Sequence, residues 1–367
     1  HYSAAGQITE VQPLYAIGEL TDTQSLAIGQ EAVLEDAAPA APALQPDQAV
    51  AAADNTSSQR PKVTYAPVEQ EFISVTQGDV TAPGAGNIIT LSSDRQVTVW
   101  SRGEQNTLHP ELTYTLPSSG EPLTLSAVPL KAETAQIFVP IFYPNRQTIA
   151  TQILENRNGR LEEIGSLGYF VKEMGCGKAK TLWAQKPFVS DKYPGSARQV
   201  TYQPEGFSVS KESFSTQRNW LTGLTRYDIE KPGSNNLIYT SPAGTLRIVL
   251  QNGKRADSKD LFASSPNRVK YKQEILKFYP SVQAFGPQGN ATIAAVENDA
   301  KIGILAKMFG QYQSGKIHFM QYQNGHLSVQ DTTPLDGVIY DTACSDSAIL
   351  AAEVLSNGTS RVVEILK

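Results

Sequence analysis

Few side chains in this sequence suit covalent or metal chemistry. The 367 residues include two cysteines, Cys176 and Cys344, and four histidines, His1, His109, His318 and His326. No pair of histidines has a metal-ligand spacing, because His318 and His326 are separated by a hairpin turn rather than set on one helix face. No apolar run approaches the roughly 20 residues that cross a bilayer as a helix. We expect no basic patch either, and the formal net charge is −5, which argues against nucleic acid as a partner. On count alone the cysteines fit either a disulfide of an exported protein or a reduced pair. Low lysine and abundant Thr, Ser, Gln, Asn and Tyr favour export. The chain begins with His1 rather than Met, and we expect any export signal to lie outside this sequence.

Nucleophile motifs are also missing. Gly175-Cys-Gly-Lys-Ala-Lys-Thr181 falls short of a phosphate loop, with Lys at 172 where a Gly is needed and Ala179 directly after Lys178. Gly165-Ser-Leu-Gly168 has the wrong spacing for a nucleophile elbow. Glu162-Glu163 reads as a solvated strand face. A free N-terminal His1 chelating copper would need a second nearby histidine on a compact domain, and here it starts an arm.

Charge divides the chain. Residues 1–60 carry eight acidic residues and one basic residue, Arg60, which leaves 30 basic and 28 acidic residues in 61–367. Within the arm, the Ala/Pro/Gln tract from Ala37 to Ala53 cannot bury enough surface to fold alone. It suits a spacer, or a strap laid on the rest of the chain or on a neighbouring subunit.

From residue 61 onward, short β-branched runs alternate with Gly, Pro, Asn and Asp turns, the pattern of antiparallel strands. Ser74–Trp100 is the clearest unit: strand, tight loop from Gly78 to Asn87, strand, Ser-Ser-Asp-Arg turn, strand. The loop after the first strand recurs near Asp79, Lys131, Gly175, Asp228, Gly286 and Cys344, at intervals of 44 to 58 residues, as expected for four-stranded propeller blades. The last set has three strands, and Lys62–Tyr65 is placed to supply the fourth and close the ring. We therefore expect an all-β fold, a β-propeller of six or alternatively seven blades, with segments 263–280 and 299–315 able to hide further strands. In a six-bladed ring Cys176 and Cys344 lie on opposite blades. A bond between them requires loops that bend over the axis to bring their Cα atoms within about 7 Å. Trp100, Trp183 and Trp220 are read as core between blades.

Gly78-Asp79-Val80 with Ile88-Ile-Thr-Leu91 resembles the FG-GAP/VCBS propeller repeat, which also occurs in integrin α-subunit heads. Tyr227-Asp228-Ile-Glu-Lys-Pro-Gly-Ser-Asn-Asn-Leu-Ile-Tyr239 repeats the cadence, and Val338-Ile-Tyr-Asp341 keeps a weaker form. The resemblance implies a calcium in the first loop of each blade. A calcium takes about six to eight oxygens, several from carboxylates two residues apart. Asp228, Glu230 and Asn235 form the best surviving set, Asp341 and Asp346 a poorer one. The bland alternative is that Asp79, Asp228 and Asp341 cap their turns by accepting backbone N–H bonds. Two functions follow as expectations: an exported non-enzymatic propeller that contacts a protein or copies of itself through residues 1–60, without a cofactor, or a glycan-active hydrolase with paired carboxylates at the hub.

Overall fold

The computed structural model describes residues 6–12, 15–20, 60–262, 264–300 and 311–367. The chain divides into two compact units, His1–Asn55 and Thr56–Lys367. In the first, Gly6–Gln12 and Tyr15–Leu20 form an antiparallel hairpin. The strap expected of the Ala/Pro tract, and His1, lie outside the described residues.

The second unit is a β-propeller of six four-stranded blades, with no α-helix among the described residues. Among the described residues no helix is long and apolar enough to cross a membrane. From the axis outward, blade one is Phe72–Gly78, Asn87–Ser92, Gln96–Arg102 and Leu108–Thr115. Blade two begins at Ser126–Val128 and continues with Gln136–Tyr143, Thr148–Arg157 and Arg160–Leu167; the short strand Glu121–Pro122 adds to it. Blade three comprises Phe170–Met174, Thr181–Gln185, Ala197–Gln203 and Gly206–Phe214, and blade four Leu224–Tyr227, Asn236–Thr240, Thr245–Val249 and Arg255–Leu261. Gln283–Phe285, Thr292–Ala300, Tyr312–Gln323 and His326–Leu335 make blade five. Blade six is Val338–Cys344, Ala348–Val354 and Ser360–Leu366, completed by Lys62–Thr64 from the far end of the sequence.

That last pairing closes the ring. Lys62, Val63 and Thr64 face Ile365, Glu364 and Val363, and the Tyr65 N–H donates to the Val362 carbonyl at 3.0 Å. The second strand of a blade is packed on both faces by neighbouring blades. This is why every residue of Asn87–Ser92, Asn236–Thr240 and Ala348–Val354 is buried, whereas the outer strand Leu108–Thr115 is mostly exposed. Separate apolar clusters fill the blade interfaces. Ile89 and Leu91 meet Ile137 and Val139 between blades one and two. Phe72 and Ile88 meet Leu350 and Val362 between blades one and six.

Segment 263–280, where a seventh blade was the alternative, holds a two-stranded hairpin, Arg268–Tyr271 with Glu274–Lys277. Two short strands cannot make a blade. The hairpin lies across the mouth at which the inner strands begin, here the entry mouth. Its Lys272 N–H donates to Gln147 Oε1 at 2.8 Å, and Tyr271 stacks on Phe188 with ring centres 4.1 Å apart. Phe278, just beyond it, stacks on Phe170 at 5.8 Å. Val269, Tyr271, Leu276 and Phe278 thereby complete an aromatic core with Phe142, Phe170, Leu221 and Leu224 from blades two to four.

Candidate functional site

An inner strand of a propeller presents side chains to the axis, where any central site must be built. Here the axis is occupied by a buried polar network centred on Asp341. One carboxylate oxygen, Oδ1, accepts from the Ser281 N–H at 3.1 Å, the Ser281 hydroxyl at 2.7 Å and the Thr342 N–H at 2.9 Å. The other, Oδ2, accepts from the Ser74 hydroxyl at 2.5 Å, the Thr124 hydroxyl at 3.2 Å and Lys172 Nζ at 3.1 Å. Lys172 spends its remaining donors on Thr124 Oγ1 at 2.8 Å and the Leu125 carbonyl at 3.1 Å. The two charged side chains are 3% and 5% exposed. Blades one, two, three, five and six are thus tied to a single carboxylate. Asp341 lies inside its strand, so its reading as a turn cap or loop ligand is corrected: the register turns it toward the axis.

A second pair lies nearer the mouth at which the inner strands end. Glu173 accepts from the Thr76 hydroxyl at 2.5 Å, Lys180 Nζ at 2.9 Å and the Ala127 N–H at 2.8 Å. Lys180 also donates to Thr76 Oγ1 at 2.9 Å and the Gln77 carbonyl at 2.8 Å. Lys180 ends the loop 175–180, which crosses this exit mouth. Cys176 in that loop is bonded to Cys344, with Cα atoms 4.6 Å apart. The Lys178 N–H reaches Asp346 Oδ1 at 3.3 Å. The loop therefore caps the hub, the geometry a bond between opposite blades requires in a six-bladed ring.

The hydrolase reading needs two carboxylates free to act in one cavity. Asp341 and Glu173 reach the hub, but each is paired to a lysine and saturated by further donors. Buried charges held this way are structural ties between blades.

The loops expected to bind calcium are built as turns. Asp228 Oδ2 accepts from the Gly233 N–H at 2.8 Å and Oδ1 from the Asn235 N–H at 2.7 Å, so both oxygens are engaged by backbone. Glu230 is exposed, and the Asn235 side chain turns to the Gly233 carbonyl at 3.4 Å. These donors do not fit a cation needing several free carboxylates. Eight residues after Asp79 and after Asp228 an asparagine, Asn87 or Asn236, completes the turn. Asn236 Oδ1 accepts from the Ile229 N–H at 3.0 Å and the Ser234 hydroxyl at 2.7 Å. Asn87 Oδ1 accepts from the Val80 and Thr81 N–H groups at 3.1 and 3.0 Å, while Asp79 Oδ1 holds the Gly86 N–H at 2.8 Å. Among the described residues no cluster of three or more His, Cys, Asp or Glu side chains is placed to hold a metal.

The remaining singled-out residues have local roles. His318 bonds Glu297 at 2.9 Å and Thr332 at 3.1 Å across strands of blade five. Trp100 donates to Thr90 Oγ1 at 2.8 Å inside the interface of blades one and six. Trp220 packs against Phe170 and Phe278. Trp183 and Phe214 flank Arg226, whose guanidinium lies 6.0 and 4.4 Å from the two rings. Burial lowers the Arg226 pKa from its ordinary value, against the opposing pull of Asp228.

The fold is that of a six-bladed β-propeller. Two solved structures are similar to it: an oxidoreductase (glucose dehydrogenase) from Thermus thermophilus, and the WD40 β-propeller domain of Doa1. The first is 11% identical, with 84% of this chain and 100% of that one covered and a TM-score of 0.48. The second is 12% identical, with 84% and 97% covered and a TM-score of 0.38. At these values neither bears on activity. No protein-family model and no curated protein matches the chain.

Proposed function

We propose that this chain is an exported, non-enzymatic binding propeller of the FG-GAP/VCBS kind, contacting a protein partner or further copies of itself, with residues 1–60 as a docking arm. The observation that carries the reading is the locked hub. Asp341, Glu173, Lys172 and Lys180 spend their hydrogen-bonding capacity on neighbouring blades, and the two mouths are crossed by loop 175–180 and hairpin 268–277. What remains for function is the outer surface and the acidic arm. The Cys176–Cys344 bond supports an oxidising compartment outside the cytoplasm. The Asp79/Asn87 and Asp228/Asn236 pairs support the repeat kinship, with turn hydrogen bonds in place of the ion.

Light scattering of the full chain against residues 61–367 tests the arm. The full chain is expected to give a multiple of the monomer mass and the shorter chain a single mass; equal masses would remove the arm from the reading. Calcium has no part in it. Saturating a native-state site at a hundred times its Kd would add about 2.7 kcal/mol. We expect calcium or chelator to move the thermal midpoint by less than about 1 °C, and a rise of several degrees would restore the ion.

A further inference from the structure

Basic residues distant in sequence gather at the entry mouth. Loop 186–195, between the second and third strands of blade three, carries Lys186 and Lys192, and the hairpin carries Arg268, Lys270, Lys272 and Lys277. The two segments hold only two acidic residues, Asp191 and Glu274, and both are spent clamping loop to hairpin. Asp191 pairs with Lys272 at 3.2 Å, and Glu274 pairs with Lys192. Phe188 stacked on Tyr271 makes the junction firm. Exposed Arg218 joins the same face, its guanidinium 5.5 Å from the Tyr193 ring. The surrounding unit is close to electrically neutral, so the face stands out from it. Burial, together with neighbouring Arg268, lowers the Lys277 pKa, as expected where cations are crowded together.

This charged face also carries exposed apolar surface. Val189 and Ile275, at 59% and 55%, are the most exposed large hydrophobic residues of the described chain. Val189 is on the loop and Ile275 on the hairpin. Beside Ile275 opens a cleft of about 320 Å³ walled by Tyr193, Arg218, Trp220, Lys277 and Tyr279. Aromatic and arginine side chains around an apolar pocket are the composition of interface hot spots. A rigid backbone beneath them lowers the ordering cost of binding. Polyanion attraction alone would need charge and no exposed isoleucine or valine.

We propose that the loop–hairpin face at the entry mouth is the docking surface of this propeller, and that its partner is an acidic, extended protein segment. An aliphatic side chain of that segment packs on Ile275 beside the cleft, and flanking carboxylates pair with Arg218 and Lys270. The proposal rests on the binding reading above and names its site.

The test measures binding of the full-length protein to a labelled synthetic peptide of alternating Glu and Leu by fluorescence anisotropy, with an all-Glu peptide and a sulfated polysaccharide in parallel. The Glu/Leu peptide is expected to bind best, and its affinity to fall about ten-fold between 50 and 500 mM salt as surface charges are screened. Ile275→Ser and Arg218→Ala are each expected to weaken it about five-fold or more, as truncated hot-spot residues do. Lys254→Glu, an exposed charge in a turn of blade four, leaves it unchanged. Circular dichroism melts of the variants exclude unfolding as the cause. No binding of the Glu/Leu peptide, equal binding of the all-Glu peptide, tighter binding of the polysaccharide, or indifference to Ile275→Ser each overturns the proposal. Loss of this surface while the full chain still self-associates moves the docking site elsewhere and leaves the binding reading standing.

Discussion

Replacing Cys176 and Cys344 together by alanine lowers the stability of the propeller by roughly 5 kcal/mol. The bond joins residues 168 apart, and the chain-entropy relation for a loop of that size gives about this value at 25 °C. The loss acts on the unfolded chain, because the folded loop has other anchors. Lys180 holds Gln77 and Glu173, and Asp346 holds the Lys178 N–H. The alanine pair should therefore keep the far-ultraviolet spectrum of the oxidised protein while its guanidinium unfolding midpoint drops. A loss below about 1 kcal/mol would mean that the unfolded ensemble is already compact around this contact. A changed native spectrum would mean that the bond, rather than the lysine pairs, positions the cap.

The ring was written in the sequence because a blade is a local object. Each set of strands is contiguous, its turns carry Gly, Asn and Asp, and the missing fourth strand of the last set has its complement at Lys62–Thr64. The three-strand remainder foretold how the ring closes, while the count stayed at six or seven because segment 263–280 could hide strands. The hub was not legible in the same way. Asp341 lies in a strand and Lys172 in another 169 residues away, and only the ring brings them within bonding distance. One local sign was present: Lys172-Glu173 interrupts Phe170-Val171 and Met174 in the middle of an inner strand, and a charge pair in a strand packed on both faces must find partners. The expectation of no basic patch fails at the entry mouth, because that face is assembled from a loop and a hairpin whose paired residues Lys192 and Glu274 stand 82 positions apart. The aspartates misled in a different way. A carboxylate at the start of a Gly/Asn loop serves an ion and a backbone turn equally well, and only the N–H donors around Asp228 distinguish the two.

Lys172→Met should cost about 3–5 kcal/mol, the penalty for removing one partner of a buried ion pair. Methionine matches the length of the lysine stem, so the loss is of charge and hydrogen bonds rather than of volume. Thr124 Oγ1 and the Leu125 carbonyl lose a donor each, and Asp341 keeps its hydroxyl and backbone donors without a counter-charge. Asp341→Leu should cost at least as much. It takes the carboxylate acceptor from the Ser281 and Thr342 N–H groups and the counter-charge from the buried Lys172 ammonium, which keeps Thr124 Oγ1 and the Leu125 carbonyl; orphaned buried donors carry their full desolvation cost. The double variant removes both charges, so its loss should be smaller than the two single losses added together. Chemical unfolding of the three variants gives the coupling as the shortfall from additivity. A shortfall of about 1–3 kcal/mol makes the pair a tie across the axis between blades three and six. Strict additivity would mean that Asp341 holds the hub through its neutral donors, with Lys172 serving only to fill space beside them.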